Sequence, residues 1–67
     1  MREEIIDTIN SFDNDTCLDI AMTFNFITKE ECDSALDTGV LPSKAKKGYI
    51  KKRALADENI SEYVLLY

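Results

Sequence analysis

Punctuation constrains this chain more than any other feature. Three clusters, Asp13-Asn14-Asp15, Thr28-Lys29-Glu30-Glu31 and Gly39 with Pro42, cut its first two thirds into segments of helix length but too short to be stable helices alone in water. In the first segment Ile5, Ile6, Ile9 and Phe12 recur at i, i+1, i+4 and i+7, one face of a helix, with Arg2, Asp7 and Asn10 outside it. This predicts a helix over 2–12. Either aspartate of the next cluster can accept backbone N–H bonds as an N-cap, so a second helix follows over 16–24, with Cys17, Leu18, Ile20, Ala21 and Phe24 inward. Asn25-Phe26-Ile27 is a short connection. Thr28 and Glu31 then have the capping-box pattern, a hydroxyl at the cap and a carboxylate three residues on, which predicts a third helix to about Asp37. Gly39 can close it in the left-handed conformation, and Pro42 blocks continuation.

Beyond Ser43 the periodicity is double. Ile60, Tyr63, Val64 and Tyr67 fit a helical stripe as well as a strand. Gly48 disfavours a helix, Tyr49-Ile50 and Tyr63-Val64 favour strands, and Ala56-Asp57-Glu58-Asn59 has turn-forming composition between segments 48–55 and 60–67. The expected architecture is therefore α+β: three short helices followed by a C-terminal β-hairpin, in a single domain over 1–67, with an all-α small bundle as the alternative. A chain of 67 residues buries only roughly 60% of its unfolded surface, so a binding surface suits it better than a deep catalytic pocket.

The formal charge is −5, but the signs are segregated. Residues 1–43 hold ten acids against Arg2 and Lys29, net −8; residues 44–53 hold Lys44, Lys46, Lys47, Lys51, Lys52 and Arg53 without an acid, net +6. An acidic body thus carries one basic segment. The sequence has no histidine, which excludes Ser-His-Asp and Cys-His catalysis within the chain. Ser43-Lys44-Ala45-Lys46 matches an SxxK pattern by chance in a lysine-rich stretch, without its companion motifs. Asp13-Asn14-Asp15 invites a calcium loop, yet Leu18 stands where that loop needs Gly and Phe24 where it needs Glu. Cys17 and Cys32 lack CxxC spacing and read as small buried thiols. No metal or cofactor is expected. Met1-Arg2-Glu3-Glu4 lacks the pattern of a signal peptide, and no apolar run is long enough for a bilayer, so a reducing, cytoplasmic location and no membrane partner are expected.

Two stretches resemble the winged helix-turn-helix superfamily. Leu18-Asp19-Ile20-Ala21 followed by Phe24-Asn25-Phe26-Ile27-Thr28 looks like its second helix, turn and entry to the third helix; Lys46-Lys47-Gly48-Tyr49-Ile50-Lys51-Lys52 is similar to the start of its wing. The resemblance implies DNA reading by the third helix. That helix, however, offers Lys29 against Glu30, Glu31, Asp33 and Asp37, a surface that phosphates would repel. The candidate contact surface is instead the basic segment, with Lys51, Lys52 and Arg53 on the first wing strand. Strand alternation would put Tyr49, Lys51 and Arg53 on one side, Tyr49 serving as a burying anchor.

These observations together predict a small non-enzymatic regulatory protein, an inhibitor by occupancy, that binds another protein through Lys44, Lys46, Lys47, Tyr49, Lys51, Lys52 and Arg53. The acidic surface of Glu30, Glu31, Asp33 and Asp37 would meet a basic groove or repel competing nucleic acid. One alternative is a nucleic-acid-binding transcriptional regulator using residues 44–53 on phosphate. The other is a self-associating assembly subunit, a homodimer whose edge strand exposes Tyr63, Leu65 and Tyr67.

Overall fold

Asp13 begins the second helix by accepting the Thr16 N–H at 2.8 Å, which holds its carboxyl below the usual range for an aspartate. Side-chain caps of this kind also open α3 and α5 in the computed structural model, which describes residues 2–67. Five α-helices follow one another: α1 Arg2–Asn10, α2 Asn14–Thr23, α3 Lys29–Thr38, α4 Lys47–Ala56 and α5 Glu58–Val64, with a 3-10 turn at Ser43–Ala45. The described residues contain no strand.

The connection after α2 is a Schellman closure. Asn25 takes a left-handed conformation (φ 58°), and the N–H groups of Asn25 and Phe26 donate back to the carbonyls of Met22 and Ala21 at 3.2 and 2.7 Å. Asparagine is the side chain other than hydrogen that best tolerates that conformation. α3 opens on the expected capping box: the Thr28 hydroxyl accepts the Glu31 N–H at 3.1 Å, and the Glu31 carboxylate accepts the Thr28 N–H at 3.0 Å. It closes at Gly39 with φ 77°.

α4 is the central helix. It packs on α1, α2 and α5, and its Ile50 and Ala54 meet Ile5, Ile9, Cys17, Ile20, Ile60 and Val64 in one core. α3 leans on α2 and buries only Ala35. All six aromatic rings of the chain join in a continuous belt along the edge of this core, with Phe12 and Phe26 buried in it, in the order Tyr49, Phe26, Phe24, Tyr63, Tyr67, Phe12, with neighbouring centroids 5.2–6.1 Å apart. Four of the five contacts are edge-to-face, the arrangement ring quadrupoles favour. The belt ties the end of α1, the α2–α3 connection, α4 and α5 together.

The α+β expectation is therefore corrected. The chain is an all-α bundle, the alternative kept beside the hairpin, and the winged-helix resemblance fails with the hairpin because there is no wing. Each misleading signal has a physical cause. Gly48 sits in the first turn of α4 rather than its middle, in open space where an added methyl would meet nothing within 4 Å. There its cost to a helix is small. Ala56-Asp57-Glu58-Asn59 does turn the chain, but as a helix-to-helix corner: Asp57 ends α4 and caps α5 by accepting the Asn59 N–H at 2.9 Å, and the Ser61 hydroxyl donates to the Ala54 carbonyl. Residues that favour turns also favour N-caps, since both uses draw on the same side-chain-to-backbone bonds. Tyr63, Leu65 and Tyr67 consequently offer no strand edge to a second copy. The first helix is also shorter than expected, ending at Asn10, with Ser11 and Phe12 turning back onto Thr8 and Ile9.

Candidate functional site

The basic segment begins in the 3-10 turn, where Ala45 is buried and Lys44 and Lys46 are exposed. It continues into α4, whose helical period distributes what a strand would have aligned. Tyr49 and Arg53, four residues apart, share one flank, while Lys51 lies about 160° away around the axis. The expected shared side of Tyr49, Lys51 and Arg53 is thus replaced by two separate flanks.

Two of the cations take part in packing. The Lys47 ammonium donates to the Asn10 carbonyl at 2.8 Å, supplying a cation to the C-terminal end of α1, which has no basic residue in its own last turn. The Arg53 guanidinium lies over the Phe26 ring at 4.8 Å and donates to the Tyr49 hydroxyl at 3.0 Å. Tyr49 itself stands edge-on to Phe26 at 5.2 Å, so the ring proposed as an anchor for a partner already belongs to the aromatic belt. Lys51 is half-buried, and Lys44, Lys46 and Lys52 are the exposed charges of this region.

Glu30, Glu31, Asp33 and Asp37 are all exposed on α3. Glu31 is committed to the capping box. On the inner side of the same helix, Cys32 and Leu36 face Asp15, Leu18, Asp19 and Met22 of α2 across an open groove of about 390 Å³. Leu36 is 62% exposed despite lying in it. Asp19 accepts a hydrogen bond from the Tyr67 hydroxyl, and this bond and the nearby carboxylate charge push the phenol's pKa up. The groove was missed from sequence. Its signal was an apolar arc on α2 too wide for one neighbour, with Leu18 and Met22 at i and i+4, opposite the i and i+4 pair Cys32 and Leu36.

Both thiols are free. Burial pushes the Cys17 thiol up, as expected of a packing residue rather than a nucleophile. Among the described residues there is no group of three or more metal-ligating side chains, and no helix is long and apolar enough to cross a membrane. Comparison with known protein families, curated proteins and solved structures found no match.

Proposed function

We propose that this chain is a small non-enzymatic regulatory protein that acts by occupying a surface of another protein. The supporting observation is the uneven placement of charge: α3 carries four acids against Lys29 and α2 carries Asp15 and Asp19 without a base, whereas residues 44–53, in the 3-10 turn and α4, carry six bases without an acid. Such polarity steers association with a partner of complementary potential and disfavours like-charged competitors. The absence of histidine from the sequence is consistent with a role in contact rather than catalysis. Of the basic segment, Lys44, Lys46 and Lys52 are the contact residues, since Lys47, Tyr49 and Arg53 also hold the fold. A reducing, cytoplasmic setting suits two free thiols.

The test is affinity capture from the native cell with and without nuclease, using the wild-type chain and a variant with Lys44, Lys46 and Lys52 changed to Gln. Recovery of one protein that survives nuclease and weakens with salt supports the reading. Recovery of nothing, or loss of everything on nuclease treatment, removes it, the second outcome favouring nucleic acid as the ligand of the basic segment.

A further inference from the structure

Leu36 is 62% exposed on a helix that buries only Ala35, and Val40 just beyond it is 68% exposed. An apolar side chain on an ordered helix and turned into a groove indicates an unfilled contact rather than scattered surface hydrophobicity. The floor and walls are Leu18, Met22, Cys32 and Leu36, and Asp15 and Asp19 stand on the α2 side. On α3, Asp33 and Asp37 follow Leu36 around the outer face of the helix, at about 60° and 100° from it. An apolar channel between acidic banks is complementary to one kind of occupant.

We infer that the α2–α3 groove receives an amphipathic basic helix of a partner protein, its apolar stripe laid on Leu18, Met22 and Leu36 and its Lys or Arg residues meeting Asp15, Asp19, Asp33 and Asp37. The inference rests on the protein-binding reading above and gives it a partner chemistry. Phosphate-bearing ligands and anionic lipid surfaces are disfavoured by the carboxylates. A partner strand is disfavoured because the described residues offer no sheet edge to extend. Met22 suits an interface that must adjust to its guest, because an unbranched thioether repacks easily. A second copy of the chain presents six of its eight cations between Lys44 and Arg53, where Ala45, Ile50 and Ala54 are already buried and no apolar stripe is left to enter the groove.

The probe is a synthetic capped peptide of about 15 residues, long enough to run the full length of a ten-residue helix, with Leu at i, i+3, i+4 and i+7 and Lys or Arg elsewhere. Its control has the same pattern with Glu in place of Lys and Arg. Titration into the ¹⁵N-labelled protein should shift the amides of Leu18, Met22, Cys32 and Leu36, with affinity falling as salt rises. The acidic control should leave them unmoved. Leu36→Lys should weaken binding by about tenfold or more, and Asp15→Asn by a smaller factor that shrinks at high salt. Both positions are exposed, so circular dichroism should remain that of the wild type. Shifts confined to residues 44–53, equal binding of the two peptides, or groove shifts that depend on protein concentration without peptide would each overturn the assignment. Capture of a cellular protein that is indifferent to Leu36→Lys would overturn the groove alone and leave the protein-binding function standing.

Discussion

Replacing Gly48 with alanine should make the protein more stable, although glycine there was the residue that argued most against a helix. In α4 it occupies the second helical position, with no positive φ, and a methyl group would enter open space. Alanine then gains by restricting the unfolded chain and supplying helix propensity. An interior helical site would give about 1 kcal/mol, and a first-turn site about half of that. For a domain of this size, about 0.5 kcal/mol corresponds to a rise of roughly 2–4 °C in Tm. Gly39→Ala is the matched opposite: its surroundings are equally open, but φ is 77°, so the cost is one of backbone conformation, about 1 kcal/mol and roughly 4–8 °C downward. Gly48→Val completes the set, because helix propensity ranks Ala above Val by about 0.5 kcal/mol whereas strand propensity ranks them the other way. Thermal and urea unfolding followed by far-ultraviolet circular dichroism read all three. If valine stabilised more than alanine at 48, or if alanine at 48 destabilised, the helical placement of this segment would be refuted.

Ile50→Ala should cost about 3 kcal/mol in urea unfolding, since Ile50 is fully buried at the meeting of α1, α2 and α5 on α4, and a domain this small has little stability in reserve. Thr28→Ala should cost about 1 kcal/mol and speed amide exchange at Glu31, whose N–H loses its acceptor. The Tyr67 phenol is stabilised in its protonated form, so its contribution to folding is complete below the ordinary tyrosine range near pH 10 and is lost as pH rises through its elevated value. Absorbance titration at alkaline pH should therefore show one late-ionising tyrosine, and Asp19→Asn should bring it earlier; an unchanged curve would show that the bond does not form.

Local chemistry was legible in the sequence wherever one residue type had one structural use. The pairing of Thr28 with Glu31 and the left-handed Gly39 were read correctly because a hydroxyl three residues before a carboxylate, and a glycine before a proline, leave the backbone few options. Residues with two uses misled. Asp57 caps a helix with the oxygen that could have closed a hairpin turn, and Tyr63 and Val64 pack on a helix although their branching and rings suit strands. The charge on residues 44–53 was visible, but its direction was not, because a strand and a helix send the same side chains to different sides. The Lys47 bond to Asn10 spans 37 positions and has no local signature. The groove was hidden for a related reason: apolar periodicity identifies a face, not whether a neighbour covers it.

α4 has a further consequence for how the chain reaches this state. It opens with Lys46 and Lys47 where the aligned peptide dipoles place their positive pole, has no side-chain cap there, and carries three more cations along its length. Excised as a peptide, residues 43–56 should be a random coil in water. The central helix is thus poorly able to exist alone, and it acquires order only as α1 lends the Asn10 carbonyl and its isoleucines. Assembly should accordingly be all-or-none, with no early nucleus at the middle of the bundle and no half-built species centred on it.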